Sequence, residues 1–193
     1  MTQTIIVVRH GNKNGDNLTE KGAVQITTTV NALNAQHKIS RILRSDTNRT
    51  KQCAEIASTI IGINEITVDT GFNPDKPFNA AYGSMEDLTQ FKAEFGQIMA
   101  AGNTVATART VGEYPKLARK HLGITLQMLA AEMRRAGQEA VIAFCHSPYT
   151  SLAAPENVAN VIPYEIGEAD AIIYTIEDGE IVNAEHMRCP LQD

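Results

Sequence analysis

The sequence predicts an α/β fold, a three-layer α/β/α sandwich in which helices cover both faces of a mainly parallel central sheet. Short apolar runs rich in β-branched residues alternate along the chain with longer segments whose apolar residues recur at helical spacing. This alternation is typical of parallel strands connected by helices. No linker, repeat or low-complexity tract divides the 193 residues, and a chain of that length suits one core. We therefore expect a single domain over residues 1–193.

Two predicted strands, residues 5–8 and 140–145, are continuous apolar runs, which is typical of strands buried on both faces of a sheet. Further strands are predicted at residues 39–43, 66–68, 171–176 and 180–185. The last two flank the turn residues "EDGE" and are predicted to pair as a hairpin.

Helices are predicted at residues 19–36, 47–61, 84–101 and 115–136. Thr19 can cap the first of them, because its hydroxyl can accept a hydrogen bond from a backbone N–H of the first turn. Polar and Gly/Pro-containing residues predict a loop at 12–17, an irregular segment at 72–83 and a connection at 102–112. Long irregular segments in compact domains are often functional, so residues 72–83 are expected to border a site.

The composition excludes several classes of function. The formal net charge of −5 disfavours nucleic acid and anionic membranes as partners. No stretch approaches the ~20 apolar residues of a membrane span, and no apolar signal segment follows a basic start. The three cysteines are widely spaced and odd in number, which suits neither a disulfide framework nor a metal site. We expect a cytoplasmic protein with reduced thiols and no cofactor.

Polar residues directly follow two of the predicted strands. Arg9 and His10 follow the first, and His146 follows the strand at 140–145. Open α/β sheets bind ligands beyond the carboxyl ends of their strands, so these side chains are expected to converge. Arg49 lies in the first turn of a predicted helix, where a cation opposes the helix dipole. A cation at this position is explained if Arg49 and the helix N-terminus both face an anion. The anion is predicted to be a phosphate, because the forked guanidinium groups of Arg9 and Arg49 can each bind a pair of its oxygens.

Other polar residues are expected to have ordinary structural roles. A single histidine at the end of a strand is more often a hydrogen-bonded structural residue than a catalytic one. The prediction of a site therefore depends on the two histidines and two arginines together. Strand alternation directs Cys145 toward the core, away from the role of a thiol nucleophile. The histidines lack a carboxylate at ligand spacing, so no metal site is predicted. No motif surrounds His37, His121 or His186.

Four blocks together resemble the histidine phosphatase superfamily, also called phosphoglycerate mutase-like. They are "VVRHG" (7–11), "LTEKG" (18–22), "RSDTNRTKQCAEIA" (44–57) and "FCHS" (144–147). Their order and spacing match the family over nearly the whole chain. The triplet Arg-His-Gly alone is a weak signal, whereas the four blocks together are specific. The resemblance implies the phosphoglycerate mutase-like form of the α/β/α sandwich.

The resemblance also implies a set of roles. His10 would be the nucleophile that takes the phosphoryl group, and Arg9, Arg49 and His146 would form the phosphate pocket around it. Asn17 would add a hydrogen bond to the phosphate. A histidine nucleophile must be neutral, with one ring nitrogen fixed by a hydrogen bond so that the other attacks. The arginines would neutralise charge on the transferring oxygens, so that no metal ion is required.

One family feature is missing from the sequence. The segment "AAYGSMEDLT" (80–89) resembles a family segment that follows a glutamate acting as general acid, but here that position falls near Asn79. Asparagine cannot donate the proton, and Ser147 stands where one branch of the family has an aspartate. Asp75 and Glu86 are the nearby alternatives, and a third is that no acid is present. The absence of an acid matters less when the leaving group is good, as in phosphohistidine or an acyl phosphate.

The leading interpretation is a metal-independent phosphatase that acts on a small phosphorylated metabolite or a phosphorylated protein. A phosphoglycerate mutase-type isomerase is an alternative that uses the same phosphohistidine. A phosphate-binding module with weak catalysis is another. The natural substrate and the oligomeric state stay open.

Overall fold

The computed structural model describes residues 2–84 and 88–191, which form a central sheet flanked by helices. The strands are β1 (Thr2–Arg9), β2 (Lys13–Asn14), β3 (Asn17–Leu18), β4 (Ile39–Arg44), β5 (Ile66–Val68), β6 (Ala140–Cys145), β7 (Ala171–Glu177) and β8 (Glu180–Met187). The helices are α1 (Glu20–Gln36), α2 (Asn48–Ile61), α3 (Asp75–Tyr82), α4 (Thr89–Ala100), α5 (Val105–Val111) and α6 (Glu113–Ala136). All six predicted strands are present.

The central sheet has the strand order β5-β4-β6-β1-β7-β8. The first four strands in that order are mutually parallel, and β7 and β8 form the predicted antiparallel hairpin at one edge. Arg9 at the end of β1 is in register with Cys145 at the end of β6. The chain therefore leaves both strands at the same level, with His10 and His146 as the next residues.

The two faces of the sheet bury separate apolar cores, and β1 contributes to both. Its side chains alternate, so that Ile5 and Val7 pack with α3 to α6, whereas Ile6 and Val8 pack with α1 and α2. All four side chains are fully buried, and each contributes on the order of 1.5–3 kcal/mol to the free energy of unfolding. The arrangement confirms the three-layer α/β/α sandwich with a mainly parallel sheet.

The prediction of an irregular segment over residues 72–83 was wrong, because this stretch contains the helix α3. Pro77 does not prevent the helix, since the N–H groups of a first turn have no intrahelical partner to lose. Gly83 ends it with a φ of 81°, a conformation that glycine adopts without strain. The proline-rich composition that predicted a loop therefore marks the beginning of a helix.

The boundaries of other elements also differ from the predictions. Residues 102–112 contain the helix α5, which Thr104 caps by accepting a hydrogen bond from the backbone N–H of Thr107 at 3.1 Å. The predicted loop at 12–17 contributes to the short β2–β3 hairpin. The helix predicted at 84–101 begins at Thr89, and the helix predicted at 115–136 begins two residues earlier, at Glu113. Within residues 2–84 and 88–191, every helix is too short or too polar to cross a membrane.

Candidate active site

The two histidines that follow β1 and β6 lie side by side. The backbone N–H of His10 donates to the carbonyl of Cys145 at 3.1 Å, so the chain stays attached to β6 one residue beyond the strand. The centroids of the His10 and His146 rings are 5.4 Å apart. Both residues are buried, with 5% and 7% of their surface exposed. The structure thus brings together two side chains that are 136 positions apart in the sequence.

Two glycines let the loop after His10 pack closely against the start of α1. A Cβ atom added to Gly11 would overlap the backbone of Gly22, and one added to Gly22 would overlap the backbone of Asn12. No side chain fits at either position without moving the backbone. The glycines of "VVRHG" and "LTEKG" are therefore parts of the same contact, which holds the His10 loop in place.

The His10 ring is held in one tautomer. Its Nδ1 lies 2.8 Å from the carbonyl oxygen of Gly11, which can only accept, so Nδ1 carries the hydrogen and Nε2 keeps its lone pair. Burial lowers the pKa of His10 to about 4, assisted by the positive charges of Arg49, Arg9 and Lys13. The ring is consequently neutral near pH 7, with Nε2 as the nucleophilic atom.

The His146 ring is held in the other tautomer. Its Nδ1 lies 3.3 Å from Nε and 3.2 Å from Nη2 of Arg49, and a guanidinium group only donates. The hydrogen is therefore on Nε2, which donates to the Ser45 hydroxyl at 2.9 Å. Burial, and then the Arg49 charge, hold the pKa of His146 well below its usual value. Both histidines of the site are thus neutral.

Arg49 lies in the first turn of α2, as predicted, and the carboxylate of Asp16 lies beside it. The Nη1 atom of Arg49 is 2.8 Å from Oδ1 of Asp16, while the backbone N–H of Asn48 donates to Oδ2 at 3.0 Å. The Thr47 side chain makes no capping hydrogen bond, so Asp16 supplies an anion at this helix N-terminus. Asp16 was not predicted as a site residue, because its place in a polar hairpin is its only signal in the sequence.

Asn17 lies on the same hairpin and is exposed. Its side-chain oxygen accepts a hydrogen bond from the Asn48 amide at 2.7 Å. Asn17 therefore borders the start of α2, next to the residues that surround Arg49.

Arg9 is bound by a carboxylate that the sequence analysis did not identify. Its Nη1 atom lies 2.6 Å from Oε1 of Glu165 and also donates to the carbonyl of Ile166, whereas its Nε is buried without a partner. The other oxygen of Glu165 accepts a hydrogen bond from the Ser147 hydroxyl at 2.9 Å. Glu165 thus connects the residue before His10 with the residue after His146. It lies in a long irregular segment without any motif.

A cavity of about 260 Å³ opens beside Arg49 and His146. Its polar lining is Asp46, Thr47, Arg49, Asn73, Asp75, His146 and Ser147, and its apolar lining is Pro74, Phe78, Leu88, Phe91, Tyr114 and Pro148.

Of the residues proposed as the general acid, Asp75 lines the cavity and Glu86 lies outside the described residues. Asn79, the residue at the family position, is exposed on α3 and does not line the cavity. Asp46 is a second carboxylate here that the sequence analysis missed.

Other reactive groups have structural roles. Cys145 is fully buried and donates to the carbonyl of Phe72, and burial raises its pKa to about 12, which excludes a thiolate at neutral pH. His121 contacts the Tyr149 hydroxyl at 2.6 Å, and His186 contacts Asp170 at 2.7 Å. His37 caps the C-terminus of α1. In the described part of the chain, no three His, Cys, Asp or Glu side chains are placed to hold a metal ion together.

The buried neutral histidines make stability depend on pH. Below pH 6.5 the unfolded chain protonates His10, whereas the folded chain does so only near pH 4. The free energy of unfolding should therefore fall as the pH decreases from about 6.5 to 4, by up to about 1.4 kcal/mol per pH unit for each such group. Urea unfolding over this range should show a shallower slope for His10→Gln than for the wild type. Equal slopes would mean that His10 is protonated equally in both states.

Comparison with known proteins identifies the fold. No family model and no curated protein matches the sequence. Among solved structures, a mycobacterial glucosyl-3-phosphoglycerate phosphatase has 16% identity and a TM-score of 0.62, over 98% of this chain and 99% of that one. A phosphoglycerate mutase from Bacillus anthracis has 13% identity and a TM-score of 0.62, over 94% and 91%. The protein histidine phosphatase SixA has 17% identity and a TM-score of 0.62, over 96% and 97%. The chain therefore has the phosphoglycerate mutase-like fold.

Proposed function

We propose that this protein is a phosphatase that transfers the phosphoryl group of its substrate to His10 and then to water. The observation that carries the proposal is the state of His10, a neutral buried histidine whose Nδ1–H is fixed on the Gly11 carbonyl. A second histidine and two arginines around it supply the groups that a phosphoryl transfer requires. The likeness in fold to two phosphatases supports the same reaction class.

In the first step, the Nε2 lone pair of His10 attacks phosphorus and forms a P–N bond. The bond from phosphorus to the leaving group breaks, and the leaving group keeps the electron pair. The Arg49 guanidinium, 3.2 Å from the His146 ring, stabilises the negative charge on the transferring oxygens. Arg9 also stabilises this negative charge, once a phosphate oxygen has taken the place of the Glu165 carboxylate beside its guanidinium group.

In the second step, water attacks the phosphohistidine, the P–N bond breaks and inorganic phosphate leaves. His10 regains its neutral form, with Nδ1–H still on the Gly11 carbonyl. The charge that a metal ion supplies in other phosphatases is supplied here by arginine. The reaction is therefore expected to proceed in EDTA. Hydrolysis of p-nitrophenyl phosphate by the wild type and by His10→Ala tests the proposal.

The substrate is a phosphorylated metabolite or a phosphorylated protein, which are also the substrate classes in the names of the two phosphatases of this fold. We further propose that residues 1–193 act as one domain. The three cysteines are buried and unpaired, which supports a cytoplasmic location.

The carboxylates that line the cavity, Asp46 and Asp75, are exposed side chains, whereas a carboxylic acid that donates a proton at neutral pH is usually held in apolar surroundings. We therefore infer that the natural leaving group departs without a strong acid. For Asp75→Asn we expect less than about a threefold change in kcat on p-nitrophenyl phosphate and on an alkyl phosphate, with Asp46→Asn as the matched control. A selective loss of about 10²-fold on the alkyl phosphate would instead identify Asp75 as the general acid.

A phosphate-binding module is the second candidate, favoured by one observation. Asn79 stands at the family position of the general acid and lies outside the cavity lining, so the acid of the family is missing at that position. Phosphate binding by the wild type without hydrolysis of any ester would favour this candidate over the phosphatase.

A further inference from the structure

We propose that the aromatic side of the cavity binds the leaving group, and that this group is a planar aromatic ring joined to the phosphoryl group through its ester oxygen. The inference rests on the proposed function, because it assigns a substrate class to the same site. It predicts an aryl phosphate as the substrate and argues against sugar phosphates and phosphorylated acids.

The wall of this side of the cavity is made of packed aromatic rings. The ring centroid of Phe78 lies 5.2 Å from that of Phe91 and 5.6 Å from that of Tyr114, in edge-to-face geometry. Phe91 and Tyr114 meet at 5.9 Å with an angle of 89° between their planes. Phe78 and Tyr114 are 4% and 2% exposed, so the core holds them in fixed positions. Such a preformed wall offers edge and face contacts to another ring.

The cavity has room for a ring beside the phosphate. Its volume of about 260 Å³ exceeds the ~150 Å³ of an apolar protein cavity that accommodates benzene. Arg49 and His146 line the same cavity as Phe91, so a single ligand can place its phosphoryl group against the first two and its ring against the third. A sugar packed against the rings of Phe78 and Phe91 would leave the hydroxyl groups on that side without hydrogen-bond partners.

The charges of the cavity also select against a second anionic group. Arg49 is the one cationic side chain among the described residues of the lining, and the phosphate requires it. Asp46 and Asp75 add two carboxylates to the same lining. A carboxylate or a second phosphate on the leaving group would therefore be repelled, whereas a neutral ring would not.

The chemistry of leaving groups agrees with this assignment. A phenol has a pKa near ~10, far below that of an alkanol, so a phenolate departs with little help from an acid. In the first step the P–O bond breaks, the phenolate keeps the electron pair, and solvent supplies its proton. Asn79 at the family position of the acid is compatible with such a substrate.

Binding of phosphonates tests the inference without any need for turnover. Isothermal titration calorimetry should give a dissociation constant for phenylphosphonate at least about tenfold below that for methylphosphonate, because only the former buries a ring. Phosphonoacetate, which carries a carboxylate, should bind no better than methylphosphonate. Equal binding of phenyl- and methylphosphonate, or tightest binding of phosphonoacetate, would overturn the inference.

A matched pair of variants assigns the effect to the aromatic wall. Phe91→Ala should reduce the phenyl-to-methyl preference to about threefold or less, whereas Phe95→Ala, one turn further along α4, should retain it. Phe95 contacts Phe91 at 5.9 Å but does not line the cavity. An unchanged preference in folded Phe91→Ala would contradict the assignment, and the wild-type comparison decides the matter if that variant does not fold.

Hydrolysis assays with phenyl phosphate and an alkyl phosphate separate the two proposals. Hydrolysis without a preference for phenylphosphonate would leave the phosphatase intact and remove the ring site. A preference for phenylphosphonate without hydrolysis of any ester would keep the ring site and rule out the phosphatase.

Discussion

His10→Ala is expected to abolish hydrolysis of p-nitrophenyl phosphate, with kcat lower by at least about 10³-fold. The substitution removes the only atom that the proposed mechanism uses as a nucleophile, and no neighbouring side chain can replace it. His146 is the nearest ring, but its Nδ1 accepts from Arg49 and its Nε2–H donates to Ser45. p-Nitrophenyl phosphate has a good leaving group, so the assay reports on the nucleophile and not on a general acid.

The assay is run in EDTA, with His37→Ala as the matched control. His37 lies at the C-terminus of α1, outside the cavity lining, and its variant should keep wild-type activity. Rapid quenching of the wild type should trap a phosphoenzyme that is stable in base and labile in acid, and that is absent from His10→Ala. Undiminished hydrolysis by His10→Ala would rule out the phosphohistidine mechanism.

Arg49→Ala is expected to lower kcat/KM by about 10²–10³-fold. The guanidinium group holds Nδ1 of His146 and pairs with Asp16, so its removal takes away both a positive charge and the hydrogen bonds that orient a ring. Arg49→Lys should recover only a small part of the loss. An ammonium group restores the charge but lacks the planar fork that reaches the ring and the phosphate together.

Lys51→Ala provides the matched control on the same helix. Lys51 is exposed and pairs with Glu55, at 3.8 Å, one turn along α2. Removing it changes the net charge by the same amount as Arg49→Ala without touching the cavity. An equal loss in both variants would show that the overall charge matters and not the position of Arg49.

The sequence predicted the central sheet and the position of the histidines because these depend on local patterns. Continuous apolar runs ending in a polar residue mark both β1 and β6, and the sheet register then aligns Arg9 with Cys145. The helix α3 was not predicted, because Pro74 and Pro77 indicate a loop in the same way that they indicate the first turn of a helix. Local composition does not distinguish these two outcomes.

The partners of the arginines were not predictable for a different reason. Glu165 is 156 positions from Arg9, and Asp16 is 33 positions from Arg49. Neither carboxylate has a motif around it, and each reaches its arginine only after the sheet and helices have packed. The sequence identifies the cations of the site through their motifs, but only the fold identifies which anions bind them.

For the proposed phosphatase, the contact between Arg9 and Glu165 also bears on how the site would empty after each reaction. Glu165 is a resident anion, tethered 2.6 Å from the arginine and additionally held by Ser147. In the proposed reaction, a phosphate that reaches Arg9 would exchange with this carboxylate, and the carboxylate would replace the departing phosphate at the high effective concentration of an intramolecular partner. The half-buried arginine would therefore pass from one anion to another without an interval as an uncompensated cation. Weak retention of the product phosphate is the expected consequence for the phosphatase that we propose.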